Sequence, residues 1–228
     1  MGKLRRIISS FFRQPVAFDT KLSTKPISSK FGMDRGVPID RYYIEDFLNK
    51  YRSLITGNVL EIAESTYSKK FGEKVDKYEI LHYDNSNKNA TIVGDLTNIE
   101  SLPENKVNCF ICTQTLNFIY NPQDAIKGAY KLIKPGGVFL CTVSGISQIS
   151  RYDMDRWGDY WRFTDLSIRK LTEAVFGKDN VEITIYGNVL AATAFLQGLS
   201  VDDLPDSTLL NDVDADYQVT LGIRAIKR

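Results

Sequence analysis

The chain has 228 residues, 43% of them hydrophobic and 25% charged, with a formal net charge of +1. That length holds one sizeable domain with room for a small appendage, and the composition is ordinary for a globular protein. The balanced charge gives no overall pull toward nucleic acid, and no run approaches the ~20 apolar residues of a membrane span.

The chain opens with MGKLRRIISSFFRQPVAF, which sets Lys3, Arg5, Arg6 and Arg13 beside Leu4, Ile7, Ile8, Phe11 and Phe12. It lacks a long apolar core and a cleavage-like site, so it does not read as a secretion signal; Arg6 breaks the myristoylation pattern. Two readings remain. One is a basic amphipathic helix in peripheral contact with a membrane; the simpler one is a helix or arm packed on its own domain or on a partner subunit, as in a homo-oligomer. Residues 14–40, rich in Ser, Lys, Pro and Gly, read as an extended arm with turns at Gly32 and Gly36-Val37-Pro38. The division is therefore a basic helix and arm over 1–40 and a main domain over 41–228.

Asp40 is placed to cap a helix over about 41–55, where Ile44, Phe47, Leu48, Tyr51, Leu54 and Ile55 keep helical spacing. After Gly57 the pattern alternates. Strands are predicted at 58–63, 79–83, 91–93, 107–113 and 138–143, with a helix near 67–71 and another opened by Asn121-Pro122. Strands apolar throughout, alternating with amphipathic helices, predict an α/β fold with a mainly parallel sheet covered on both faces. A helix over 164–176, a strand at 181–186, a helix over 189–199 and a strand at 218–226 complete the chain. The Asp-rich loop before that last strand reads as a solvated excursion, its aspartates too widely spaced for calcium. Cys109, Cys112 and Cys141 all fall in apolar runs, which points to reduced, buried thiols and a cytoplasmic home. Residues three apart on a strand face opposite ways, so the C-x-x-C spacing does not favour metal or redox use.

Ligands of open parallel sheets bind beyond the carboxyl ends of the strands. Those ends carry Glu61 with Ala63-Glu64-Ser65, then Asp84, then Asp95-Leu96, then Thr113-Gln114-Thr115. A carboxylate after the second strand suits ribose hydroxyls, and one after the third can accept from the amine of a base. The first loop, NVLEIAESTYSKKFG, has two glutamates and no internal glycine before Gly72. Dinucleotides need glycine there so that backbone can approach their phosphates. A phosphate-free nucleoside bearing an amino-acid tail and a sulfonium cation does not, so the loop favours S-adenosylmethionine over NAD.

Residues 58–145 resemble the class I S-adenosylmethionine-dependent methyltransferases. The matching pieces are VLEIAESTYSKKFG, LHYD, GDL, and the block FICTQTLNFIYNPQDAIKGAYKLIKPGGVFLCTV, of which LIKPGG is the most specific. The resemblance implies a Rossmann-like, mainly parallel seven-stranded sheet. It implies that Glu61, Asp84 and Asp95 meet the cofactor's amino-acid tail, ribose and adenine. Ala63, Glu64, Ser65, Leu96 and Thr113 stand at positions that would line the same site. Where that family usually reads E/D-x-G-x-G, this chain has Ala63 and Ser65 in the glycine positions.

After the fifth strand comes SGISQISRYDMDRWGDYWRFTDLSIRKL, which holds both tryptophans. Tyr152, Trp157, Tyr160 and Trp161 stand there among Arg156, Asp159 and Arg162, a mixture suited to a polyhydroxylated acceptor such as a carbohydrate. The alternative is a lid that only closes over the cofactor. The DYWRFT run and a later YGN also look like a methyltransferase subgroup found with glycosyltransferases in bacterial and viral polysaccharide assembly. It implies O-methylation of a sugar hydroxyl on a glycan or its precursor, with glycosyltransferases as candidate partners. Methyl transfer to a hydroxyl needs alignment and proton removal. Asp155 is the first candidate base, then Asp153, then Asp159, with Gln114 orienting donor or acceptor; His82 reads as a packed strand residue. A divalent metal on one of these aspartates is the less favoured route, and no ligand set is assigned. Competing readings keep the cofactor but use a lipid or small aromatic acceptor, or take the missing glycines as marking a non-catalytic scaffold.

Overall fold

The computed structural model describes residues 23–228; the basic segment 1–22, read above as a helix, lies outside them. Seven strands form one sheet: β1 Gly57–Ile62, β2 Val75–His82, β3 Ile92–Val93, β4 Val107–Thr113, β5 Ile133–Ser144, β6 Val181–Tyr186 and β7 Thr220–Ile226. Their order is β3-β2-β1-β4-β5-β7-β6. β7 runs antiparallel to both of its neighbours, and the remaining pairs are parallel. The helices are α1 Ile39–Lys50, α2 Thr66–Phe71, α3 Pro122–Leu132, α4 Arg151–Met154, α5 Asp165–Phe176 and α6 Val189–Leu196.

Two hydrophobic cores sandwich the sheet. Phe110 and Cys112 of β4 join one core with α3 and α5, while Cys109 and Ile111 join the other with α1 and α6. Strand alternation thus buries both faces, which is why the strands are apolar without a break. The three cysteines are free and buried, Cys109 and Cys112 lying in opposite cores. Loss of solvent pushes the Cys109 and Cys141 thiols up, away from the thiolate form.

Several boundaries differ from the sequence expectation, each for a physical reason. β2 begins at Val75 rather than 79, because its first residues pair only with β1; β3 meets β2 at Leu81 and His82 alone. A strand open along one edge tolerates the polar Asp76-Lys77, which hid it from a search for apolar runs. β5 begins at Ile133, whose backbone pairs with Val107 before the Pro135-Gly136-Gly137 turn. Asn121 and Pro122 take the expected cap and first-turn positions of α3, although the Asn121 side chain makes no capping bond.

The N-terminal region needs the largest revision. Pro38 holds the N-cap position of α1, so Asp40 lies inside the first turn, where its carboxylate accepts from the Arg41 amide at 2.7 Å, and the 40/41 division cuts a helix. The described part of the arm, from residue 23 on, packs against the main domain. The Ile27 and Ser28 amides donate to the Gln197 carbonyl, and Pro38 bridges Ser200. Arg35 grips Asp203 through two hydrogen bonds of 2.8 and 2.9 Å. α6 stops at Leu196 instead of 199 because Gly198, at φ +69°, lies under the arm; a Cβ there would stand 1.9 Å from the Ser28 carbonyl oxygen. The Asp-rich loop is exposed as expected at Asp202, Asp206, Asp212, Asp214 and Asp216, and one aspartate anchors it. Asp203 is buried, and it also accepts from the amide and hydroxyl of Ser200.

Candidate active site: two clefts above the sheet

The strand order reverses between β1 and β4, and beyond the carboxyl ends of these strands lie two adjoining clefts of about 710 and 660 Å³. Both volumes are in the range of small-molecule sites. The smaller cleft opens over β2 and β3, against Asp95, Leu96, Trp157 and Tyr160. The larger lies between the β1 loop, the arm, the start of α1 and the segment after β5. Ile62, Ala63, Gln114, Thr115, Phe118 and Asp153 face both.

The β1 loop keeps a glycine conformation without a glycine. Ala63 has φ +64°, in the left-handed region. Its amide donates to the Leu81 carbonyl and its own carbonyl accepts from Asn87 Nδ2 at 2.7 Å, so both sides of the residue are tied down. Glu61 completes the turn from below. Its side chain is buried, and its two oxygens accept from the amides of Tyr67 and Ser68 at 3.0 and 2.6 Å. Those amides belong to the first turn of α2, where Ser65 holds the cap position without a capping bond. Glu61 therefore does the work of a helix cap from the preceding strand. Burial raises its carboxyl above the ordinary range, against the pull of Ser68 and Tyr67, with Glu64 adding to the rise.

Gln114 closes β4, with φ +48° and its amide bonded to the Thr142 carbonyl. Its Oε1 accepts from Ser144 Oγ at 2.7 Å and from Asn117 Nδ2 at 3.3 Å. Asn117 Oδ1 in turn accepts from the Ser144 amide, which fixes the orientation of both side-chain amides. Among the described residues Gln114 Nε2 is a buried donor with no partner, on a residue that faces both clefts. An orphaned donor there suits an oxygen of a bound molecule.

The DYWRFT run is a clamp. Arg162 holds Asp159 through bonds of 2.6 and 2.9 Å, and Asp159 also accepts from the Ser150 amide. Burial alone would raise the Asp159 carboxyl, but Arg162 and the Ser150 amide hold it below the usual range. The remaining Arg162 donors reach the Ser147, Gln148 and Trp161 carbonyls. The Tyr160 and Trp161 amides donate to the Asn117 carbonyl, so this segment is stitched to the end of β4. YGN is likewise structural: Asn188 caps α6 and donates to the Leu209 and Asp212 carbonyls.

The expected residues divide accordingly. Glu61, Ala63, Glu64, Thr113 and Gln114 line the larger cleft, with Tyr152, Asp153, Asp159 and Arg162 on its other side. Arg156 lines the smaller cleft, with its guanidinium 3.5 Å above the Tyr152 ring. Ser65, Asp84, Asp155 and Trp161 line neither cleft. Ser65 is buried under α2, and Asp155 is exposed. Asp84 is exposed, accepting from the Ser86 amide and standing 3.2 Å from His82 Nδ1. Trp161 donates to the Tyr120 carbonyl. Asp159 and Arg162 reach the cleft as a mutually satisfied pair. His82 ends β2 and borders the smaller cleft, rather than packing inside the strand.

Sequence reasoning missed the contribution of the arm and α1: Lys30, Phe31, Asp40 and Arg41 all line the larger cleft. Asp40 is half-buried, and loss of solvent pushes its carboxyl up to about 6. No local pattern marks these residues, because the fold alone carries them to the site. Among the described residues no group of three or more His, Cys, Asp or Glu is placed to hold a metal ion.

Residues 55–141 match the family model described as a methyltransferase domain. No curated protein matches the sequence. Among solved structures, an S-adenosylmethionine-dependent methyltransferase of Archaeoglobus fulgidus superposes with TM-score 0.52 at 12% identity, over 82% of this chain and 94% of that one. A phosphoethanolamine N-methyltransferase of Haemonchus contortus, solved with S-adenosylhomocysteine, gives TM-score 0.51 at 12% identity, over 82% of this chain and 52% of its own. The [4+2]-cyclase SpnF gives TM-score 0.52 at 13% identity, over 98% and 93%. The match over residues 55–141 and the shared sheet architecture give this chain the Rossmann-like methyltransferase fold and make it similar to enzymes that use S-adenosylmethionine. The residues fit that molecule: the left-handed Ala63 keeps the loop open, Asp95 offers an oxygen beside the smaller cleft, and Gln114 offers a free donor.

Proposed function

We propose that the protein transfers a methyl group to a sugar hydroxyl of a glycan or glycan precursor. The observation that carries this reading is Asp153, a carboxylate in the wall shared by both clefts. Its Oδ2 accepts from the Ser150 hydroxyl, leaving Oδ1 free for a proton. S-adenosylmethionine supplies an electrophilic methyl group. Asp153 takes the hydroxyl proton as the acceptor oxygen attacks, a role worth about 10²–10⁴ in rate. Gln114 Nε2 donates to an oxygen of the donor or acceptor. Tyr152, Trp157 and Tyr160 cover the C–H faces of the sugar. Asp95 serves the adenine, and Leu96, Ala63, Glu64 and Thr113 shape the cofactor's bed. The exposed position of Asp155 favours Asp153 as base.

The test compares glycans from cells with and without the gene by mass spectrometry, looking for loss of one methylene mass. In vitro, Asp153→Asn should abolish turnover while S-adenosylhomocysteine affinity, read by calorimetry, stays near wild type; Asp155→Asn should remain active. Full turnover in Asp153→Asn would remove that residue from the mechanism. A fold shared with a [4+2]-cyclase keeps a non-methylating role in view, and failure to bind S-adenosylhomocysteine at millimolar concentration would favour it.

A further inference from the structure

Two cations at the edge of the larger cleft have no partner among the described residues; a third, Arg41, meets the charge of Asp40 beside it. Lys30, on the arm, and Arg151, at the start of α4, both line that cleft and both are exposed. Neither side chain has an ion pair or hydrogen bond among the described residues, whereas Arg35 and Arg162 in the same two walls are each engaged by a buried aspartate. The walls are joined beside them: Gln148 Nε2 donates to the Ser29 carbonyl at 2.8 Å, tying the segment that carries Arg151 to the one that carries Lys30. Each wall is held from behind. Arg35 and Asp203 fix the arm, and Arg162 fixes the Gln148 carbonyl at 2.6 Å. The carboxylates of the cleft with a free oxygen, Asp40, Glu64 and Asp153, come from α1, the β1 loop and α4. Residues two apart on a helix do not face each other, so Asp153 does not neutralise Arg151. Exposed apolar surface from Met33 and Tyr152 completes the edge.

We propose that Lys30 and Arg151 bind an anionic group of the acceptor, a phosphate or carboxylate, and so select a charged sugar over a neutral one. This deepens the sugar-hydroxyl reading and rests on it. Two cations pre-positioned on clamped segments pull in an anion and set its distance from the reacting hydroxyl. Carboxylates deeper in the site are kept for the sulfonium and for the proton.

The test uses the full chain saturated with S-adenosylhomocysteine, titrated by calorimetry with glucose 1-phosphate, glucuronate, methyl glucoside and inorganic phosphate. Expected is binding of the charged probes at least tenfold tighter than methyl glucoside. Lys30→Gln and Arg151→Gln should each weaken it by about tenfold, the scale of one charge-assisted contact reduced by solvent. Glucose 1-phosphate against glucuronate tells phosphate from carboxylate. Equal affinity for methyl glucoside, or no binding of any anion, overturns the proposal. So does a loss of S-adenosylhomocysteine affinity in the variants with acceptor binding unchanged, which would give the cations to the cofactor. Phosphate binding that needs both cations, with no sugar methylated, would retain the anion site and sink the sugar reading. Methylation of neutral glycosides with wild-type KM in both variants would do the reverse.

Discussion

Glu61 offers the sharpest test of how this loop works without glycines. The carboxylate accepts two amides of the first turn of α2, and its side chain is buried. Replacing it with alanine leaves both N–H groups without an acceptor, at about 1–3 kcal/mol each. Relief of a buried carboxylate offsets part of that loss, as the raised carboxyl pKa indicates. The net expectation is a destabilisation of about 2–4 kcal/mol, or about 4–16 °C in melting temperature for a chain of this size. Circular dichroism at rising temperature reads it directly. Glu61→Gln should fall between, because it keeps one acceptor and sets a donor against a donor. S-adenosylhomocysteine affinity should fall only as far as α2 loosens. A stability loss below about 1 kcal/mol, combined with a tenfold loss of cofactor affinity, would refute the reasoning and return Glu61 to the ligand.

Ala63→Gly should stabilise the fold by about 0.5–1 kcal/mol, since relief of left-handed strain exceeds the added freedom of the unfolded chain; urea denaturation that finds destabilisation would contradict the strained turn. Asp40→Asn should raise the melting temperature at pH 8 but hardly at pH 4. With a folded value of about 6, Asp40 contributes stability that is fully present below its unfolded value and lost as pH rises through 6. A pH-independent difference between the two proteins would sink this. Asp159 has the opposite sign: its lowered carboxyl contributes stability at neutral pH that disappears as pH falls through its folded value. Asp159→Asn should therefore lose stability at pH 7 and little at the acid end of the unfolding curve, and an equal loss at both would argue against the Arg162 clamp. Asp84→Ala tests the one strand-end carboxylate outside both clefts. A loss of about 1.5–3 kcal/mol in cofactor affinity would mean that it swings in to the ribose on binding, and no change would leave it to its own loop.

By itself, the sequence settled the alternation of elements, and with it the sheet, because strands buried on both faces must be apolar throughout and helices between them must be one-sided. The strand-end residues followed, since a parallel sheet gathers its carboxyl ends on one edge; Glu61, Ala63, Asp95 and Gln114 were legible for that reason. What those side chains do was decided in three dimensions. Glu61 looks like a ligand carboxylate in the chain and caps a helix in the fold. Asp159 and Arg162 look like free charges and satisfy each other, and Asp153 faces the clefts where Asp155 does not. The arm's share in the site left no trace in local pattern. Lys30 and Asp40 reach the cleft only because the arm docks against residues 197–203, a contact between segments more than 160 positions apart in sequence. Periodicity reports which face of an element is buried, and it carries no information on which distant segment comes to cover it.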